Sequence, residues 1–393
     1  MSHKQLLSLL FCNVAVFSVG NALLPLIPIR ATRLGADSTL AGIYLAAAFA
    51  ALAIGTVISG TLSSRFHRRR IFIAVGALVN VPMLLLVGQA KTAPLLGVFV
   101  TVTWFMAGLQ IAMASILAAM AADKRQLGRT FGILGAGPAL GQLISGVIAG
   151  PLDDRWGFEA VCIVFAGVAV LPALLALRLE DGRTGAAPFV KTQTMEMVAT
   201  GSPRLFLLMG AAVLVNIANF IAVMGKPLLM DSLAFDSAAV TSTVAISGAA
   251  SLPVPLLMGW LSDRWGRHSV LQGAYLCAVV GVGMLAFSTQ LWHFWLSQIL
   301  CTLMGAGMAA GSALVAEMVP SRQMSTAVAA YSATPWIGGV VGCATGGAAI
   351  GAVGAPLTFG TGAALAVMAI VLVAALRPRQ PVLRPTAIRA TQH

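Results

Sequence analysis

Gly259-Trp260-Leu261-Ser262-Asp263-Arg264-Trp265-Gly266-Arg267-His268 is the stretch on which the reading of this chain turns. It is a short basic island between two long charge-free runs, residues 237–262 before it and 269–316 after it. The same pattern occurs 199 residues earlier as Gly60-Thr61-Leu62-Ser63-Ser64-Arg65-Phe66-His67-Arg68, where Gly, Leu, Ser, Arg and the final Arg coincide. Pro28 matches Pro227 at the same shift, and Arg125-Gln126, Pro138 and Gly141 match Arg322-Gln323, Pro335 and Gly338 at a shift of 197. A pattern that recurs in the same order along both halves implies two similar structural units.

Working outward, the islands turn out to separate apolar runs of spanning length. The chain has 393 residues, 59% hydrophobic and 9% charged, against the roughly 25% charged of a soluble domain. A soluble globular protein is excluded. Eight charge-free runs (5–29, 38–64, 71–90, 92–122, 130–152, 160–177, 205–225 and 237–262) each reach the ~18 residues of a spanning helix. Two longer ones, 269–316 and 323–376, break near Gln290-Leu291-Trp292-His293 and near Gly351 to Pro356, which brings the expected number of spans to twelve. The expected fold is an all-α membrane protein of twelve transmembrane helices in two six-helix bundles. Residues 1–179 form the N-terminal bundle, 180–203 a cytoplasmic linker, 204–376 the C-terminal bundle and 377–393 a cytoplasmic tail. No segment outside the spans approaches the ~50 residues of an independent domain, so a catalytic extramembrane domain is not expected.

The net charge of +12 is a topology signal. With twelve spans both termini share a side, and alternate loops place 19 Lys and Arg there against five (Arg30, Arg33, Lys91, Arg155, Lys226) opposite. The positive-inside rule puts the termini in the cytoplasm, and the first apolar run is too long for a cleaved signal peptide. Cys12, Cys162, Cys277, Cys301 and Cys343 lie in apolar runs without a CxxC pair, so they read as packing residues. No metal site, cofactor or nucleic-acid partner is expected; the partners are a small-molecule substrate and the lipid bilayer, and a monomer is the expected state. None of the five histidines falls mid-span, no G-x-x-x-x-G-K-[ST] loop occurs, and no ring-forming segment suggests a channel. An enzyme and an ATP-driven pump are therefore disfavoured.

These motifs resemble the major facilitator superfamily. The 259–268 stretch is similar to the family's G-x-L-x-D-R-x-G-R-[KR] signature, in which Gly259, Asp263, Arg264, Gly266 and Arg267 would form a conformational latch on the cytoplasmic face. The alternative is a plain basic turn. Locally, Asp263 could cap a helix and pair with Arg264 or Arg267, while Gly266 permits a tight turn. The first copy keeps Gly60, Arg65 and Arg68 but has Ser64 for Asp and His67 for Gly. Gly137-Pro138-Ala139-Leu140-Gly141 resembles the motif of the antiporter branches, with Gln142 replacing the last Gly; ordinary small-residue packing is the alternative.

In this fold the first, fourth, seventh and tenth spans would line a central cavity between parallel repeats. Its polar candidates are Asn13, Asn21, Gln110, Gln142, Asn216, Asn219, Lys226 and Gln298, because polar groups in spans are expensive. Asn216 and Asn219, three apart, would share a face; each amide could equally be an interhelical bond. Arg30 and Lys226, near the outer ends, are expected to snorkel. All twelve acids lie at or beyond span ends, with Asp231 and Glu317 the nearest candidates for protonation. The expected function is secondary transport of a small organic solute by alternating access, with export favoured and proton coupling left open, in a bacterial plasma membrane. Neutral or weakly anionic substrates are favoured, for want of a buried acid. An importer or facilitator for sugars or organic acids is the alternative.

Overall fold

The structure, a computed structural model, describes residues 3–66, 68–121, 127–181, 203–320 and 323–376. Among the described residues every regular element is helical. The first half contains α1 (His3–Leu23), α2 (Leu26–Arg33), α3 (Ser38–Phe66), α4 (Arg69–Gly88), α5 (Ala93–Ala121) and α6 (Leu127–Ala176). The second contains α7 (Pro203–Ser232), α8 (Ser237–Ser251), α9 (Val254–Trp265), α10 (Arg267–Gly283), a single 3-10 turn (Met284–Phe287), α11 (Leu291–Met318), α12 (Met324–Ser332), α13 (Thr334–Val353) and α14 (Ala355–Ala375). The expected linker beyond Asp181, the tail 377–393, His67, Lys124, Arg125, Gln126 and Arg322 lie outside the described residues.

Ten of the described helices are long and apolar enough to cross a bilayer, and the pair α8 and α9, bent by 55°, makes an eleventh. α6 is itself two spans. Gly157 interrupts it with φ 80° and ψ 170°, a region open essentially to glycine alone. Leu134 on one side and Ala176 on the other meet in one cluster with Leu9 and Cys12, so the chain doubles back. The expected twelve crossings are thus accounted for.

The halves meet on one face only. Three helix pairs carry the packing between them: α6 with α8, α3 with α13, and α2 with α7. All three lie in the half of the bundle away from the chain termini. There, an apolar cluster from the first half takes in Met224 and Cys343 of the second, and one from the second half takes in Ile29 of the first. At the terminus face, by contrast, the clusters around Leu9, Met113 and Leu179 and around Leu208, Tyr275 and Leu376 each belong to one half alone. The molecule is closed on the face opposite the termini and open on the terminus face.

The two main contacts are built alike. Gly146 lies against Ala245 and Gly150 against Ser237 and Thr241, while Gly347 lies against Ser38 and Gly42 and Gly351 against Ser38 and Thr39. A Cβ on Gly42 would stand 2.5 Å from the Cys343 carbonyl oxygen, well inside contact distance. Small residues let helix backbones touch in a bilayer, where dispersion and interhelical bonds replace the hydrophobic effect as the source of attraction. The contacts also correct the register of the repeat. Gly137 packs on Asn13 as Gly338 packs on Asn216, and Gly141 on Phe17 as Gly342 on Phe220. Gly141 is therefore the counterpart of Gly342, one turn beyond the Gly338 that sequence matching pairs with it. The proline match misled, since Pro138 lies inside α6 whereas Pro335 starts α13.

A bulky side chain at Gly347 should hold this face apart. Gly347→Leu is expected to abolish transport while leaving membrane insertion intact, measured as solute flux against surface expression; flux within twofold of the unmodified protein would show that the contact need not close.

Candidate functional site

Between the halves lies a cavity of about 490 Å³, within the ~300–1,000 Å³ typical of small-molecule sites. Its closed end is aromatic. Phe49 of α3 and Phe220 of α7 meet edge to face across the halves at 4.8 Å and 75°, a geometry worth about 0.5–1.5 kcal/mol beyond burial. Both line the cavity with Phe17, Trp104 and Trp336.

Six of the eight polar candidates line it: Asn21, Gln110, Gln142, Asn219, Lys226 and Gln298. Asn13 and Asn216 do not. Each packs its Cβ under a glycine of the neighbouring helix, and the Asn216 amide donates to the Ala212 carbonyl at 2.8 Å. The expected shared face of Asn216 and Asn219 thus divides, one towards α13 and the other towards the cavity, the two standing about 60° apart around the helix axis at the cavity's edge. Tyr331 is likewise buried away from the cavity, its hydroxyl 3.6 Å from Met308 Sδ.

Snorkelling is also corrected. Lys226 is 7% exposed and lines the cavity, where its ammonium donates to Gln298 Oε1. Arg30 is part-exposed in an outer pocket with Asp153 and Asp154, 5.6 Å from the Phe158 ring centroid, with a buried, unpartnered Nε. A lysine held inside a transmembrane bundle is costly, and one amide partner does not offset that. Lys226 is the sole charged residue among those lining the cavity.

Sequence reasoning missed Asn80, Thr103, Thr243, Ser247 and Thr302, which also line it. Asn80 lies on the third span (α4) and Thr243 and Ser247 on the eighth (α8), outside the four spans expected to face inward. A lone Asn in an apolar run was the available signal. Three amide oxygens in the first half's wall, Asn80 Oδ1, Gln110 Oε1 and Gln142 Oε1, are buried without a hydrogen-bond partner. Gln110 is fixed in that orientation because its Nε2 donates to the Met106 carbonyl at 3.3 Å.

Neither candidate for protonation reaches the cavity. Asp231 pairs with Arg33 across the halves at 2.8 Å, and Glu317 pairs with Arg267 within the second half. The outer clasp continues with Asp154 of α6, whose carboxylate accepts from the backbone N–H groups of Ser237 and Ala238 at 2.8 Å each. Asp153 accepts from the Ser237 hydroxyl at the same spot. An acid of one half thus caps the first turn of α8 in the other, beside that helix's own cap Asp236; the exposed N–H groups and helix dipole favour the negative charge there.

On the terminus face Gly266 makes the expected tight turn with φ 84°. Asp263 does not cap α10, whose first turn follows Gly266 directly with no side-chain cap. Among the described residues Asp263 makes no ion pair, and Arg264 lies 5.3 Å from the Trp260 ring centroid. Arg65 rests 5.7 Å from the Phe66 ring centroid, and neither it nor Arg68 has an acidic partner among the described residues. The buried cation of the first copy is instead Arg69, 2% exposed, which donates to the Ser63 hydroxyl at 2.6 Å. Arg70 holds Asp181 at 3.4 Å. Every described ion pair on this face joins residues of one half, as an open face requires.

A bundle of twelve crossings, built from two similar halves around a polar-studded cavity closed at one end, has the architecture of a membrane transporter. The sequence matches the Major Facilitator Superfamily over residues 9–254 and again over 206–392, and the chain belongs to that family. Among curated proteins it is 28% identical over 272 residues to a chloramphenicol resistance protein of Streptomyces lividans, covering 66% of this chain and 67% of that one. It is 25% identical to the multi-drug resistance efflux pump PmrA of Streptococcus pneumoniae over 84% of this chain and 85% of that one. It is equally identical to the multidrug resistance protein MdtG of Salmonella typhimurium over 74% of each. Among solved structures, a mutant of the nucleoside transporter NupG superposes with TM-score 0.80 at 14% identity, covering 95% of this chain and all of that one. A bacterial homolog of the lysosomal transporter Spinster, inward-facing and unoccupied, superposes with TM-score 0.74 at 16% identity over 96% and 95%. These two show the fold.

The clasp predicts a labelling pattern. In a background with the five cysteines replaced, Ser247→Cys in the cavity should react with an impermeant maleimide from the terminus face, and adding Asp154→Ala should make it react from the other face as well. Unchanged sidedness would mean that Asp154 does not hold that face shut.

Proposed function

We propose that this protein exports small, neutral or weakly anionic amphiphilic compounds from bacterial cells across the plasma membrane, with both termini and the open face towards the cytoplasm. The observation that carries this reading is the cavity itself: aromatic and amide-lined, with Lys226 and without a carboxylate among its lining residues. Strong cations find no counter-charge there, and burying one unpaired is costly. The efflux-pump name of a relative that matches 84% of the chain and the drug-resistance name of one that matches 74% support the direction, as does the Gly137-Pro138 to Gly141 motif, which seats the first helix against the fifth span. The excess of Lys and Arg on the terminus side, 19 against five opposite, supports the orientation.

The 259–267 loop is the latch of this reading. It is released in the open state described and would engage the other half when the terminus face closes, with Asp263 free to take a cationic or helix-end partner. A proton carried during the cycle would travel on Lys226 or on the clasp acids Asp153, Asp154 and Asp231.

Inverted membrane vesicles test the proposal with two radiolabelled probes, neutral chloramphenicol and the lipophilic cation tetraphenylphosphonium. Chloramphenicol is expected to accumulate several-fold above vesicles lacking the protein, and tetraphenylphosphonium to remain at background. Preferential uptake of the cation, or accumulation only in right-side-out vesicles, would overturn the reading. Collapse of the pH gradient should abolish accumulation if protons drive it.

A further inference from the structure

The cavity is chemically divided, and the division follows the two halves. The wall from the first half offers acceptors: Asn80 Oδ1, Gln110 Oε1 and Gln142 Oε1, all buried and all without a donor, with Asn80 and Gln110 only 4% and 3% exposed. The wall from the second half offers donors. Lys226 has three ammonium protons and, among the described residues, one side-chain hydrogen-bond partner, Gln298 Oε1. Because an ammonium only donates, Gln298 must turn its oxygen towards Lys226, which leaves its own Nε2 hydrogens for the cavity. Leaving a buried acceptor without a donor is costly, and leaving a buried ammonium isolated is more so. Three orphaned acceptors on cavity-lining side chains of one half and an under-partnered cation in the other make a poor structural network and a receptor for a ligand of opposite polarity.

We infer that the substrate is a weak organic acid with hydrogen-bond donors at the end remote from its acidic group: its carboxylate or equivalent anionic oxygen is held by Lys226 and Gln298, and its hydroxyl or amide N–H groups are held by Gln110, Asn80 and Gln142. Such a ligand bridges the two halves. Charge-assisted hydrogen bonds are roughly twice as strong as neutral ones, so the anionic end fixes affinity. The donor end fixes orientation, since Gln110 cannot turn its amide without losing its bond to Met106. The tight site beneath Gly76, where a Cβ would lie 2.9 Å from Gln110 Cγ, keeps that side chain in place.

This inference deepens the export proposal by naming its substrate class, and its test is chosen to be independent of direction. Isothermal titration calorimetry on the full chain in lipid nanodiscs compares three probes: 4-hydroxycinnamate, which has both ends; its methyl ester, which lacks the anion; and 4-methoxycinnamate, which lacks the donor. The unmodified protein should bind the acid at least tenfold more tightly than the ester, and the hydroxy acid several-fold more tightly than the methoxy acid. Lys226→Gln should erase the acid-over-ester ratio and leave the hydroxy-over-methoxy ratio, Lys226→Arg should retain both, and Gln110→Leu should erase only the second. Equal or tighter binding of the ester by the unmodified protein, no measurable binding of any of the three, or an acid-over-ester ratio that survives Lys226→Gln would overturn the inference. An importer would still pass this test, and an exporter of purely neutral compounds would fail it while passing the vesicle assay, so the two failures are distinct.

Discussion

The arrangement depends on backbone-to-backbone contact between the halves on one face. Gly146 and Gly150 against α8, and Gly347 and Gly351 against α3, bring helices together where no larger side chain fits. Dispersion falls off within an ångström of optimal contact, so such surfaces are either joined or separated with little in between. This two-state character suits alternating access. With one face closed, the same rigid halves diverge towards the other, and the cavity is the wedge between them. The clasp of Arg33, Asp231, Asp153 and Asp154 sits at the mouth of the closed face, where water can solvate the charges once it opens. Exposed pairs of this kind contribute about 1 kcal/mol or less each, enough to bias the equilibrium without locking it.

Chemistry inside the wedge is set by a different constraint. Within a bilayer every polar atom is costly, and a folded chain keeps an unsatisfied one only where something else repays it. Lys226 and three of the orphaned buried side-chain atoms, the amide oxygens of Asn80, Gln110 and Gln142, belong to residues lining one cavity, the cation from one half and the amides from the other. Asn13 and Asn216 show the contrasting case. They are equally polar in sequence, yet they sit as symmetry-related spacers at the glycine contacts between the first and fifth spans and between the seventh and eleventh.

Much of the fold was legible in the sequence because charge scarcity, run length and the doubled basic loop are one-dimensional signals. The hairpin at Gly157 was equally legible, since Asp153 to Arg155 interrupt two apolar runs. The register of the repeat was less so. Pro138 and Pro335 are chemically identical but occupy a helix interior and a helix start, and only the three-dimensional contacts show that Gly338, one turn before the Gly342 that matches Gly141, is the counterpart of Gly137. The cavity was half legible for the same reason: an apolar run reveals that an Asn is present but carries no helical phase, so Asn80 on α4 was overlooked while Asn216 was included. The fate of Lys226 could not be read from its position near a run's end, because whether a lysine reaches the interface depends on what surrounds its stem.

The central claim is that the two halves rock about this site, one face opening as the other closes. Distances between spin labels measured by double electron–electron resonance test it most directly, with one pair at Arg68 and Ser269 on the terminus face and another at Lys91 and Leu233 on the opposite face, under resting and transporting conditions. The account predicts that turnover shortens the first distance while lengthening the second in the same population. Distances that stay fixed, or that lengthen and shorten together, would contradict it.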